Sequence, residues 1–161
     1  MKRFVVLYIL YLAIAFVLVD YGPMREALGI ESRYNAFIAD ISAYLIRAIG
    51  IPVQADEEIL RLPHANMIIK FGCNGLEAVL IYLAGVLAYP ASWRDRLIWG
   101  IGGVIVLEII NIARIALLAW VIERFPRHFD LMHDYITQSI MIVLAFLLFL
   151  LYLQRINGAK R

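Results

Sequence analysis

Residues 97–122 read LIWGIGGVIVLEIINIARIALLAWVI. A helix needs about 20 apolar residues, or about 17 at the short end, to cross a hydrocarbon core about 30 Å thick, and this run satisfies that requirement. Residues 4–19, 75–89 and 136–153 are shorter runs of the same kind. Hydrophobic residues fill 63% of the 161 positions and charged residues 17%, a balance outside that of a soluble domain. The chain therefore reads as an all-α integral membrane protein with about four transmembrane helices, in one multi-pass domain over residues 1–161.

The net charge of +2 says less than its placement. Lys2, Arg3, Arg94, Arg96, Arg155, Lys160 and Arg161 flank the apolar runs instead of forming a stripe, which argues against a nucleic-acid partner and for the lipid bilayer as the surroundings. The positive-inside rule puts the N-terminus, the Trp93-Arg94-Asp95-Arg96 loop and the C-terminal tail on the cytoplasmic side. The first run follows Met1-Lys2-Arg3 and reads as a retained anchor, because Asp20-Tyr21-Gly22-Pro23 offers no small-residue cleavage site. Residues 36–51 are apolar but carry Asp40 and Arg47; a crossing there would send Arg94 and Arg96 outside, so the segment is expected as an amphipathic helix at the outer interface. Residues 58–62 and 67–71 flank Pro63-His64-Ala65-Asn66 and suggest a small β-hairpin leading into residue 73.

Polar groups inside the bilayer are costly and mark function. Measured from Leu97 at about 1.5 Å per residue, Glu108 falls near the midplane and Arg114 about 25 Å along, in the outer part of the membrane. The single cysteine, Cys73, lies in Gly72-Cys73-Asn74-Gly75-Leu76-Glu77 at the start of an apolar run. One thiol cannot form an intrachain disulfide, and a metal site needs several ligands, so a nucleophile is the sharp reading and a small buried hydrophobe the bland one. Asn74 can cap the following helix with Glu77 closing a capping box, which would put Cys73 where helix amides and dipole favour a thiolate. Gly75 would leave room for a substrate backbone, and nearby N–H groups would receive an oxyanion. Arg114 would clamp developing negative charge or neutralise Glu77 or Glu108. Of the histidines, His64 and His128 read as loop residues. His133 opens the last span and can exchange a proton near neutral pH, though a helix-end role is equally open.

With Cys73, Arg114 and His133 in that order at the outer ends of membrane helices, the chain resembles the exosortase and archaeosortase family of membrane cysteine transpeptidases. The matching stretches are Gly72-Cys73-Asn74-Gly75-Leu76-Glu77-Ala78, Asn111-x-x-Arg114 and His133; the first, continuing into Leu87-Ala88-Tyr89-Pro90-Ala91-Ser92-Trp93, is similar to the compact exosortase H subtype. The resemblance implies an enzyme of the cell (inner) membrane with its active site on the extracytoplasmic face. Its partners would be exported proteins ending in a short motif, a membrane helix and a basic tail. Cys73 would form an acyl-thioester, Arg114 would take the family's proton-donor place, and His133 would stabilise the transition state. A guanidinium that keeps its proton makes a cationic clamp the better physical description of Arg114.

No metal or organic cofactor is expected. Two other classes compete: a small transporter using Glu108 as a coupling carboxylate, and a non-enzymatic membrane assembly subunit. Neither gives Cys73 a task.

Overall fold

A computed structural model describes residues 2–20 and 30–158. From Tyr21 onward the stretch read as lacking a cleavage site lies outside those residues, as do Lys160 and Arg161. The elements are α1 (Lys2–Asp20), α2 (Ile30–Ala48), β1 (Gln54–Asp56), β2 (Ile59–Arg61), β3 (Asn66–Ile68), α3 (Leu76–Ala88), α4 (Trp93–Arg124), a 3₁₀ turn (Pro126–His128), and a π-helical segment (Leu131–Thr137) that runs directly into α5 (Gln138–Gly158). The chain is a helical membrane protein carrying one small antiparallel sheet.

Three helical stretches have the length and apolarity of a membrane span: Lys2–Val19, Trp93–Arg124 and Leu131–Gly158. The run expected at 75–89 forms the 13-residue α3, about 20 Å long and short of a full hydrocarbon core. It is bounded on one side by Gly75 at φ 80° and on the other by extended Tyr89 before Pro90. Helix α4 is longer than expected, 32 residues or about 48 Å. Its start moves from 97 back to Trp93 because Ser92 caps it, its hydroxyl accepting the Asp95 N–H at 3.1 Å, and charged Arg94-Asp95-Arg96 continue the helix.

The amphipathic helix is present, from Ile30 to Ala48 instead of 36–51. It buries Asn35, Ile38, Ala39, Ser42, Ala43 and Ile46 and exposes Phe37, Asp40, Tyr44 and Arg47, the stripe expected of a helix with one packed face. It is absent from the segments apolar enough to cross a membrane. The expected hairpin is β2–β3, and β1 adds a third strand in the order β1-β2-β3. Ala55 pairs with Leu60 and Leu60 with Met67, so these three side chains share one row of the sheet, with Leu60 and Met67 buried.

The packing separates into two apolar cores. One joins α2, the sheet and the C-terminal half of α4, through Ile38, Ala43, Leu60, Met67, Ile115 and Leu118, and it contains Cys73. The other joins α3, α4 and α5 through Val79, Tyr82, Val86, Leu107, Met141 and Tyr152. Between them along α4 lie Glu108, Asn111 and Arg114, repeating every three residues on one helix face.

Helix α1 runs antiparallel to α3: Phe4 meets Tyr89 with ring centroids 6.1 Å apart, and Phe16 meets Phe71 at 5.7 Å. Tyr89 also donates its hydroxyl to Asn157 at 2.7 Å. Arg3, Arg94, Arg96 and Arg155 are thereby gathered at one end of the bundle, with Cys73 toward the other.

Gly103 marks the tightest helix contact. A methyl group there would overlap the ring of buried Tyr82, while one on Gly102 would meet nothing within 4 Å. Tyr82 is fixed by donating its hydroxyl to the Trp99 carbonyl at 2.7 Å. Gly103→Ala is therefore expected to destabilise the bundle by about 1–3 kcal/mol, the usual cost of overpacking, while Gly102→Ala is neutral or slightly stabilising. Thermal unfolding of the two purified variants checks this; equal midpoints would remove the Tyr82–Gly103 contact from the packing.

Candidate active site

Cys73 sits in a turn between β3 and α3, closed when the Lys70 carbonyl accepts the amides of Cys73 at 2.8 Å and Asn74 at 3.0 Å. Both amides are thus occupied, so they do not form the oxyanion hole expected of this turn. The N-cap position of α3 is Gly75, without a side-chain cap, and Asn74 instead closes a turn just before it, its Oδ1 accepting the Leu76 N–H at 3.1 Å. The second half of the expected capping box is missing too, because the Glu77 carboxylate accepts the Gln138 side-chain amide. The other end of Asn74 donates to Asn35 Oδ1 at 2.7 Å, and both asparagines are buried. Asn35 also donates to Glu58 at 3.3 Å, so α2 pins the turn to the sheet.

The two glycines of the turn have opposite surroundings. Both hold positive φ, 88° at Gly72 and 80° at Gly75. A Cβ on Gly75 would lie 2.7 Å from the Asn111 carboxamide and 3.0 Å from Glu108, so the room expected there for a substrate is filled by α4. A Cβ on Gly72 would meet nothing within 4 Å, and the open side of the turn is this one.

Cys73 is 2% exposed. Burial pushes its thiol up, and the cations Arg114 and Lys70 pull it down by less. The helix-terminal thiolate expected from position alone is therefore outweighed by desolvation.

Arg114 is buried and held on several sides. Its Nε donates to Thr137 Oγ1 at 2.8 Å and its Nη2 to Gln138 Oε1 at 3.1 Å. Its terminal nitrogens also reach the Gly72 carbonyl, at 3.5 Å from Nη1 and 3.4 Å from Nη2. Gln138 in turn donates to Glu77, so the Arg114–Glu77 partnership is relayed through an amide. A cavity of about 240 Å³ opens beside Arg114 and Thr137, walled by Ile110, Ala113, Leu117 and Ile140.

His133 lies in the π-helical segment, four residues before Thr137, which donates its hydroxyl to the His133 carbonyl at 3.4 Å. The ring stacks on Phe129 with centroids 5.5 Å apart, and Nδ1 lies 2.6 Å from Asp134 Oδ1. A carboxylate at Nδ1 favours the tautomer with its proton there, leaving Nε2 as the lone-pair nitrogen. Phe129 and Met132 pack against the core that contains Cys73. Arg114 is thus brought to the turn that carries Cys73 through the Gly72 carbonyl, and His133 is joined to Arg114 through the Thr137 hydroxyl, with Asp134 as its side-chain polar partner among the described residues.

His64 is exposed and ties the β2–β3 turn to the end of α4, its backbone N–H and ring both meeting Glu123. His128 stands in the 3₁₀ turn with its ring against Phe125. Glu108 accepts the Tyr34 hydroxyl at 2.5 Å. Burial, with this carboxyl beside it, pushes the Tyr34 phenol up and keeps it a donor. No cluster of His, Cys, Asp or Glu suited to a metal ion occurs among the described residues. Sequence reasoning missed Tyr34, Asn35, Thr137 and Gln138; the available signal was that each is a polar or hydroxylated residue within or beside an apolar helical stretch.

Residues 4–152 match the family model described as transmembrane exosortase. No curated protein and no solved structure matches the chain. The match spans nearly the whole of a multi-pass helical membrane protein, and the chain belongs to the transmembrane exosortase family.

Proposed function

We propose that this exosortase is a membrane cysteine transpeptidase that removes the C-terminal sorting signal of exported proteins, with Cys73 as nucleophile, Arg114 as electrostatic clamp and His133 as transition-state stabiliser. The proposal also puts the chain in the cell (inner) membrane with the active site on its extracytoplasmic face. The observation that carries it is the uneven grip on Arg114. Two short hydrogen bonds to Thr137 and Gln138 fix the guanidinium, while the end toward the Cys73 turn makes only the long contacts to the Gly72 carbonyl. A substrate carbonyl arriving over Gly72 replaces a weak acceptor and takes a charge-assisted bond.

In this reaction the Cys73 sulfur adds to the scissile carbonyl and the oxygen takes up negative charge against Arg114. The thiol proton passes by way of His133, whose imidazole stabilises the transition state by holding it, to the departing amine as the C–N bond breaks, leaving an acyl-thioester on Cys73. An acceptor amine or water then attacks the thioester, and the sulfur leaves with a proton returned by the same route. Asp134 orients the imidazole for both transfers. Glu108, bound by Tyr34 and packed against Gly75, serves structure in this reading.

Cys73→Ser is expected to insert normally and to process a co-expressed substrate more slowly by about three orders of magnitude or more, since an alcohol lacks the thiol's ionisation and nucleophilicity. Near-normal processing, read by the mobility of the substrate on a gel, would remove the thiol mechanism.

Arg114→Lys is expected to lose about 100-fold, close to Arg114→Ala, because a point charge does not reproduce a fork held by Thr137 and Gln138 while facing a carbonyl. Recovery of most activity by Lys would show that charge alone suffices.

The thiol's pH response gives an independent measure. Because burial disfavours the thiolate, alkylation of Cys73 is expected to rise with pH through a midpoint above that of an ordinary thiol. Arg114 favours the thiolate, so Arg114→Gln moves that midpoint further up. Alkylation rates followed by mass spectrometry give both profiles, and identical curves would mean that Arg114 exerts no field on the thiol.

Membrane-impermeant thiol reagents on spheroplasts are expected to reach Cys73, while a cysteine introduced at Ser92 of a Cys73→Ser chain reacts only after lysis. The reverse pattern would put the site on the cytoplasmic face and end the export-linked reading.

A further inference from the structure

At the end of the bundle away from Cys73, a cavity of about 250 Å³ opens between α1, the C-terminus of α3 and the start of α4. Its lining is Arg3, Phe4, Leu7, Ala88, Pro90 and Arg96. The walls are therefore apolar, with two guanidinium-bearing residues set among them.

Arg96 is not turned out to water as a snorkelling arginine would be. Its Nη2 donates to the Tyr89 carbonyl at 3.0 Å, and its Nε is buried with no hydrogen-bond partner among the described residues. A buried guanidinium donor left unpaired is costly, which implies an acceptor that belongs in this space. Arg3 likewise makes no hydrogen bond or ion pair among the described residues. The neighbouring carboxylate, Asp95, is engaged elsewhere: it accepts the Ser92 hydroxyl at 2.6 Å in the cap of α4. The cavity thus offers two cations and apolar walls.

We propose that this cavity binds the phosphate of an anionic membrane phospholipid, held between Arg3 and Arg96, with the glycerol and first acyl carbons along Phe4 and Leu7. A planar guanidinium suits phosphate oxygens, and an otherwise unused Nε–H supplies one arm of that recognition. The volume is below the about 300 Å³ of a drug-sized pocket, so it admits a headgroup and leaves the acyl chains in the bilayer. Arg94 and Arg155 at the same end raise the local concentration of anionic lipid without lining the cavity.

The lipid also has a structural task. None of the residues in the Lys2–Val19 span is buried. A phosphate shared by Arg3 and Arg96 fastens α1 to the α3–α4 junction, where side-chain burial contributes little.

The test uses the full chain in detergent micelles, with phosphatidylglycerol, phosphatidylcholine or inorganic phosphate added. Phosphatidylglycerol is expected to raise the unfolding midpoint and to be retained as a single adduct in native mass spectrometry, while the other two do neither. Arg96→Gln is expected to weaken retention by about tenfold, as loss of one charge-assisted contact does. Arg3→Gln is expected to weaken it in the same direction, and Arg94→Gln to leave it unchanged. Equal retention by all three variants, equal binding of phosphatidylcholine, or a full shift from inorganic phosphate alone would overturn the proposal. Should Arg96→Gln fail to fold, Arg3→Gln decides the matter, since Arg3 makes no protein hydrogen bond among the described residues whose loss could confuse the result.

Discussion

A guanidinium placed inside a membrane helix costs about 2.5–3.5 kcal/mol even by insertion-based measures, and its five N–H donors have no water to turn to. Arg114 is the residue on which the site depends for this reason. Its donors are satisfied from two directions: Thr137 and Gln138 on the last helical stretch, and the Gly72 carbonyl on the turn that carries Cys73. Satisfying one buried cation therefore draws together three regions far apart in sequence. The geometry around the thiol follows from that requirement more than from any direct bond made by the sulfur.

The last helical stretch shows how the backbone meets the same requirement. Residues Leu131–Thr137 are wound as a π-helix, a form that is rare and tends to occur at functional sites. The change to α-helix comes between Thr137 and Gln138, the two neighbours that both bond to Arg114. Successive residues of a regular α-helix point about 100° apart, so two adjacent side chains converging on one group is an unusual arrangement. A wound-out turn alters the angular relation between His133 and Thr137 at the point where the segment joins the clamp.

The apolar runs were legible in the sequence because hydropathy measures the strongest driving force, burial in lipid or protein, and it requires no knowledge of partners. Cys73 and Arg114 stood out for a related reason: a lone thiol and an intramembrane cation are conspicuous against such a background. The surroundings of these residues were not legible. Gly75 could be read as an opening only until α4 was placed, since Asn111 is 36 positions away and nothing local announces that it fills the space. The capping box had its residues at the right spacing, yet Gln138 provided a better partner for Glu77 than a backbone amide did. Strand β1 escaped notice because Gln54-Ala55-Asp56 has one small apolar residue and too little length to show an alternation. In each case a distant partner overrode a local rule or supplied a structure that no local pattern marked.

In the proposed reaction, the two sides of the Cys73 turn decide the direction of attack. The Gly75 side is sealed by Asn111 and Glu108, and the latter is tied to α2 through Tyr34. The amides of Cys73 and Asn74 are committed to the Lys70 carbonyl. What remains is the Gly72 side, open around a glycine whose carbonyl makes only long contacts to Arg114. In that reaction a peptide laid along that side meets the Cys73 turn and the guanidinium together, and with the amides of Cys73 and Asn74 occupied, Arg114 takes the charge on its carbonyl oxygen. An enzyme with backbone donors free at this point could replace Arg114 by a neutral residue at moderate cost. In the proposed reaction, the hydrogen bonds of the Cys73 and Asn74 amides to the Lys70 carbonyl are what turn the oxyanion role over to the arginine.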